Sequence, residues 1–161
     1  MGCDIHAYVQ IFTVDKRWRT VVAPIFPSDE IDIFDKKSQR NEPTTEPFAW
    51  RAYGMFAFLA NVRNYLFVPP ISEPRGLPTD LTKEEIERYE DYHSCSWLLL
   101  SELLSFNYDQ TFGGPGNGKV ITFREFLGRL FFRDITIMSS MCSPYSPQGD
   151  SGVRIVFGFD N

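Results

Sequence analysis

The closing segment GVRIVFGFDN, residues 152–161, alternates in hydropathy with a period of two. Successive side chains of a β-strand point to opposite faces, so this alternation predicts a strand with one apolar face. The apolar face consists of Val153, Ile155, Phe157 and Phe159, and the opposite face consists of Arg154, Val156, Gly158 and Asp160. The chain therefore ends in a strand that buries one side.

The opening segment CDIHAYVQIF, residues 3–12, is also rich in β-branched and aromatic residues. As a strand it places Asp4, His6 and Tyr8 on one face, and Cys3, Ile5, Ala7 and Val9 on the other. The segment RWRTVVAPI, residues 17–25, follows after a short turn and predicts a hairpin partner. We expect the two terminal strands to pair in the middle of one sheet.

Helical patterns lie between the terminal strands. Apolar residues at helical spacing predict a helix over Phe48–Arg63, and two Thr-x-x-Glu sequences, starting at Thr82 and Thr122, have the spacing of helix capping boxes. HSCSWLLL from His93 reads as a buried strand, followed by a brief helix that Ser101 caps. The proline- and glycine-rich stretches 27–47 and 107–118 are predicted to be surface loops.

These elements predict a single α+β domain over residues 1–161. Its mostly antiparallel sheet includes the N- and C-terminal strands and is packed by two or three helices. A chain of 161 residues is long enough to bury a core without disulfide bonds. The aromatic fraction of 16%, with 15 Phe, supplies much of that core.

Charge and cysteine content limit the classes of partner. A net charge of −5 argues against binding to duplex nucleic acid or to acidic membranes. The three cysteines are scattered, which is typical of free thiols in a reducing compartment. Without a secretory signal or an apolar run of membrane-spanning length, the sequence predicts a cytoplasmic protein.

Two histidines and two aspartates are the strongest candidates for chemistry. Asp4 and His6 share a strand face, and a divalent metal held by Asp4, His6, His93 and Asp160 would respect the strand alternation. The simpler interpretation is that each histidine is a hydrogen-bonded member of the sheet whose tautomer a carboxylate fixes. No cofactor is required by that interpretation, and the sequence assigns no catalytic residue.

Arginines and aromatic residues near the ends of elements indicate a binding site instead. Guanidinium groups suit phosphate oxygens, and Tyr65 or Trp97 could stack on a base. The predicted ligand-binding residues are Asp4, His6, Arg63, Tyr65, Arg75, His93, Trp97 and Arg154.

The chain resembles a group of small proteins carried mainly by bacteriophages and some bacteria. The resemblance rests on the MGCDIH start, FAFLANVRN, the PRGLP turn, HSCSWL and the closing VRIVFGFDN, which together cover the whole chain. It departs at RAYGMFA, residues 51–57, where the group has RNYDLFA, and at Gly158, where the group has tryptophan. The resemblance implies no established reaction, but a phage setting implies an accessory protein that counters host defence in the host cytoplasm.

Three functions follow as hypotheses. The first is a sponge, a binding protein that sequesters an anionic cyclic nucleotide signal and whose homo-oligomerisation closes the pocket. The second is a metal-dependent phosphodiesterase that uses Asp4, His6, His93 and Asp160. The third is a protein-interaction module that docks a partner through exposed aromatic residues.

Overall fold

The first and last strands lie side by side in the centre of a four-stranded antiparallel sheet. The computed structural model describes residues 2–28, 42–113 and 118–161. Its strands are β1 (Asp4–Phe12), β2 (Trp18–Thr20), β3 (His93–Leu99), β4 (Thr111–Gly113), β5 (Val120–Thr122) and β6 (Val153–Asp160). The main sheet has the order β2-β1-β6-β3, and β4 and β5 form a separate hairpin. The expected α+β fold with paired terminal strands is confirmed.

The described residues also form four helices: α1 (Tyr53–Ala60), α2 (Lys83–Glu87), α3 (Leu100–Ser105) and α4 (Phe123–Met141). Two short 3-10 turns, Ser143–Tyr145 and Gly149–Gly152, lead into β6. In the described part of the chain, no helix combines the length and the apolar character needed to cross a membrane.

Both faces of the sheet are covered. The apolar faces of β1 and β6 pack against α1, α3 and α4 in the main core, where Phe157 and Phe159 are fully buried. On the opposite face, Leu81 and Tyr89 from the segment around α2 cover Val156. This second cover is why every residue of β6 except Asp160 is buried, although only one face of its sequence is uniformly apolar.

The first helix is shorter than predicted. The structure starts α1 at Tyr53, after an extended Ala52 with φ −143° and ψ 94°. Further upstream, Phe48 is left-handed, with φ 60°, and its amide donates a hydrogen bond to the buried carboxylate of Asp134. At the other end, Asn61 takes φ 57° and caps the helix through backbone bonds to Ala57 and Phe56. Apolar periodicity reveals neither the extended Ala52 nor the left-handed Asn61 that bound the helix.

The last helix is longer than the apolar pattern indicated. The sequence places Phe123, Phe126, Leu127 and Leu130 at helical spacing, but Gly128, with φ 76° and ψ 174°, breaks the helix between Leu127 and Leu130. Beyond this break the buried residues are Phe131, Asp134, Ile135 and Met138. The break rotates the buried face, so the second half of α4 packs with a phase that the first half does not predict.

Contrary to the sequence prediction, Ser101 does not cap α3: the helix begins at Leu100, and the Glu102 carboxylate accepts from the amide of the capping residue Leu99. The other elements follow their sequence signals with small changes. Thr82 and Glu85 form a complete capping box at α2, and Thr122 accepts a hydrogen bond from the Glu125 amide at α4. The second strand is limited to Trp18–Thr20. The glycine-rich loop connects β4 and β5, a hairpin that the sequence did not indicate. Residues 29–41 and 114–117 of the predicted loops lie outside the described residues.

Phe58 joins the three core helices. It is fully buried, and its ring lies 5.0 Å from Phe106, 5.6 Å from Phe123 and 5.8 Å from Phe131, centroid to centroid. We expect Phe58→Ala to lower the free energy of unfolding by about 3–5 kcal/mol, because it removes a buried ring and leaves a cavity. Denaturant titration measures this change. Phe67→Ala is the matched control, because Phe67 is 89% exposed; an equal loss in both variants would contradict this packing.

Candidate functional site

The pairing of β1 with β6 brings two carboxylates together at one end of the sheet. Asp4 lies directly opposite Asp160, and His6 lies opposite Gly158. Asp160 accepts hydrogen bonds from the backbone amide of Asp4 at 3.1 Å and from His6 Nε2 at 3.0 Å. Since a carboxylate only accepts, the proton on this nitrogen faces Asp160. The pair fixes both the orientation and the tautomer of the imidazole.

Aromatic stacking holds the other side of His6. The Tyr92 ring lies parallel to the imidazole, with 4.5 Å between centroids and 2° between planes. A Cβ at Gly158 would lie 2.9 Å from Tyr92 Cβ and 3.0 Å from Cys95 Sγ. The missing side chain at Gly158 therefore makes room for Tyr92 beside His6.

Arg51 neutralises the second carboxylate. It lies just before α1 and binds Asp4 with two donors, Nε at 2.8 Å and Nη2 at 2.7 Å. The Arg51 guanidinium lowers the pKa of Asp4 below 3.8. A Cβ at Gly2 would come within 2.5 Å of Arg51 Nη1, so glycine at this position leaves room for the guanidinium.

These side chains border a cavity of about 480 Å³, here called the strand-end cleft. Within the described residues it is lined by Asp4, Ile5, His6, Glu46, Ala49, Trp50 and Arg51. His6 Nδ1 forms no hydrogen bond within that part of the chain and is not buried. The cleft therefore offers an oriented imidazole acceptor, carboxylate acceptors, a guanidinium and an indole.

Two tyrosines, Tyr8 and Tyr92, lie near Glu46 of the cleft. Burial, followed by the carboxylate of Glu46, raises the pKa of Tyr8, and burial likewise raises the pKa of Tyr92. Arg88 lies over the Tyr8 ring at 5.3 Å. Both tyrosines thus keep their protons at neutral pH and remain hydrogen-bond donors beside Glu46.

Two of the predicted phosphate-binding arginines are engaged elsewhere. Arg75 binds Glu102 with two donors, at 2.8 and 2.6 Å, and lies over the Trp97 ring. Arg154 is 4% exposed and is held by Asp80 and Gln10 beneath Trp18. In the sheet, Arg154 lies opposite Gln10. Arg154 is six residues from Asp160 along β6, which corresponds to about 20 Å at roughly 3.3 Å per residue. Arg75, Trp97 and Arg154 therefore do not reach the strand-end cleft.

His93 also lies apart from the cleft. A bulge at Ser94, where φ is 51°, turns the strand, and the imidazole packs toward Phe159 of the main core. Its Nδ1 contacts Ser94 Oγ at 3.0 Å. Within residues 2–28, 42–113 and 118–161, no three His, Cys, Asp or Glu residues converge as metal ligands. The combination of Asp4, His6, His93 and Asp160 therefore does not form a metal cage.

Arg63 and Tyr65 line a different hollow, beside α1. Arg63 donates to the Tyr65 hydroxyl at 3.1 Å and to Asn161 Oδ1 at 3.0 Å. Of the eight predicted ligand-binding residues, the cleft thus contains Asp4 and His6. The sequence reasoning missed Glu46, Trp50, Arg51 and Tyr92. One signal was available for Arg51: two carboxylates on facing strand ends require a nearby cation.

Comparison of the chain with family models, with curated proteins and with solved structures gives no match. The chemistry of the cleft is therefore the basis for functional inference.

The electrostatic role of Arg51 can be measured directly. In Arg51→Gln we expect the Asp4 pKa to rise toward 3.8, because the charged donor is lost. In the wild-type protein the contribution of Asp4 to stability is present above its unfolded pKa and disappears as pH falls through its lower folded pKa. Carboxyl ¹³C NMR titration reports both values. Arg124→Gln removes a comparable exposed pair with Asp109 and should leave Asp4 unchanged; an unchanged Asp4 in Arg51→Gln would refute the pairing.

Proposed function

We propose that the protein binds a small nucleotide in the strand-end cleft and holds it without converting it. The observation that supports this proposal is the cavity of about 480 Å³ in which oriented acceptors, a guanidinium and an indole meet. Binding sites for small ligands have volumes of roughly 300–1,000 Å³ and a few fixed polar groups. In a phage setting, such a protein would act as a sponge that withdraws a host cyclic nucleotide signal.

The lining favours a particular orientation of the ligand. Asp4 and Glu46 accept hydrogen bonds, so they suit ribose hydroxyls and exocyclic amino groups rather than phosphate. Arg51 uses Nε and Nη2 for Asp4, and its Nη1 has no hydrogen-bond partner among the described residues. This nitrogen is the phosphate donor, and Trp50 supplies a ring for base stacking.

The charge balance selects among nucleotides. Asp4 and Glu46 outnumber Arg51 among the charged groups that line the cleft. A cyclic phosphodiester carries less negative charge than a nucleoside triphosphate, and repulsion by the carboxylates is correspondingly weaker. We therefore infer a preference for cyclic nucleotides over nucleoside triphosphates. Closure of the cleft by a second copy of the chain remains a prediction.

Equilibrium dialysis against a panel of cyclic nucleotides tests the binding function. We expect the protein to retain one or more cyclic nucleotides, and we expect none of the matched triphosphates to displace them. The retained nucleotide should be recovered intact by chromatography after heat denaturation. Arg51→Gln should weaken binding by about tenfold or more, since hydrogen bonds to charged groups contribute roughly 1.5–3 kcal/mol.

Arg124→Gln is the matched control and should bind like the wild type. Retention of no cyclic nucleotide, or equal affinity in Arg51→Gln and the wild type, would refute the proposed binding mode. An interaction module would give the first of these results.

One observation favours a second function, acid–base hydrolysis without a metal. Asp160 binds His6 Nε2, and Nδ1 of this cleft-lining residue has no hydrogen bond among the described residues. This is the geometry of a general base that could activate water. If this function is correct, the same assay returns a hydrolysed product, His6→Gln abolishes its formation, and a chelator has no effect. Recovery of intact ligand only would eliminate it.

A further inference from the structure

We propose that a second site, beside α1, binds a small aromatic acid, with its ring in an apolar pocket and its carboxylate on Arg63. The α1 pocket, as we call it, has a volume of about 190 Å³. The residues that form it include Tyr53, Gly54, Ala57, Arg63, Tyr65 and Leu66. This site shares none of its lining residues with the strand-end cleft, so the proposal does not depend on nucleotide binding.

The size and character of the pocket define the group that enters it. Its lining is almost entirely apolar. An apolar cavity of about 150 Å³ in another protein remains dry and binds benzene. The α1 pocket therefore accommodates one benzene-sized ring, and it lacks the polar partners that the edge of a nucleobase requires.

Arg63 supplies the charge that selects an acid. Its neighbours are the Tyr65 hydroxyl, the Asn161 amide oxygen and the Cys3 thiol. Burial raises the pKa of Cys3, so this thiol stays neutral. Among the described residues, no carboxylate forms a salt bridge with Arg63. A carboxylate at the rim of the pocket would provide the missing counter-ion.

The loop that shapes the pocket is held in a strained conformation. Arg63 and Phe67 have φ angles of 51° and 54°, in the left-handed region that non-glycine residues rarely occupy. The Asn64 side chain secures the loop, since it donates to the Val68 carbonyl and accepts from the Val68 amide, both at 2.8 Å. Such strain concentrates at functional sites. Here it fixes Arg63 beside the pocket before any ligand arrives.

The strained loop buries Val62 and Val68 in the main core but leaves its aromatic side chains outside it. Tyr65 is 66% exposed and Phe67 is 89% exposed, so burial does not account for the position of these two rings. Exposed aromatic residues beside an apolar hollow are typical of binding surfaces. The loop conformation thus creates a site at the surface.

Phenylacetate is the probe that tests this site. Its binding is followed by the ¹³C–¹H shift of the Ala57 methyl group, with benzyl alcohol as the neutral analogue and benzylamine as the cationic one. We expect saturable binding of phenylacetate, about tenfold weaker binding of benzyl alcohol because it lacks the charge-assisted hydrogen bond, and no binding of benzylamine. Arg63→Gln should reduce phenylacetate to the level of benzyl alcohol and leave benzyl alcohol unchanged.

Further variants separate the alternatives. Ala57→Leu should fill the pocket and abolish binding of both ligands; if that variant does not fold, the analogue series in the wild type and Arg63→Gln still decides. Arg51→Gln should bind phenylacetate normally, which distinguishes this site from the strand-end cleft. No shift of Ala57 with phenylacetate, or an equal loss of both ligands in Arg63→Gln, would overturn the proposal. An Ala57 shift that depends on protein concentration without any ligand, and that Phe67→Ala removes, would also overturn the proposal. A second copy of the chain would then occupy the pocket.

Discussion

The antiparallel pairing of β1 with β6 is the constraint on which the rest of the structure depends. It joins the two ends of the chain over eight paired positions, from Asp4 with Asp160 to Ile11 with Val153. A shift of one residue would turn the apolar face of β6 away from α1 and α4, so burial fixes the register. The same register places Asp160 within reach of His6 and Asp4. One requirement of the core therefore also determines the geometry of the cleft.

On the sheet face opposite the main core, the charged groups at the two ends differ in burial and in their partners. At the Arg154 end, the guanidinium is buried beneath Trp18 and fully committed to Asp80 and Gln10, so it stabilises the cover over the sheet. At the Asp160 end, the charged groups are about half exposed and border a cavity. Polar groups that stay accessible to solvent can exchange water for a ligand at little cost, whereas buried pairs cannot. This difference locates the candidate site at one end of the face.

The sequence predicted the parts of the fold that depend on local pattern. Alternation identified β1 and β6 and assigned their faces, and the capping residues Thr82 and Thr122 marked the starts of α2 and α4. The sequence did not predict features that depend on single backbone conformations, such as the left-handed Phe48 and the break at Gly128. The roles of the arginines were harder to predict, because each role depends on which carboxylate the guanidinium contacts in the folded chain. Arg75 and Arg154 meet Glu102 and Asp80, and only the three-dimensional structure distinguishes them from Arg51.

The central claim is that the β1–β6 register places Asp160 to bind His6 Nε2 and leaves Nδ1 without a hydrogen bond among the described residues. Long-range ¹H–¹⁵N NMR of the His6 ring in the wild type and in Asp160→Asn tests this claim most directly. We predict a proton on Nε2 in the wild type and a clear change of the Nε2 and Nδ1 shifts in Asp160→Asn. A proton on Nδ1 with Nε2 bare, or ring shifts that do not respond to Asp160→Asn, would contradict the account.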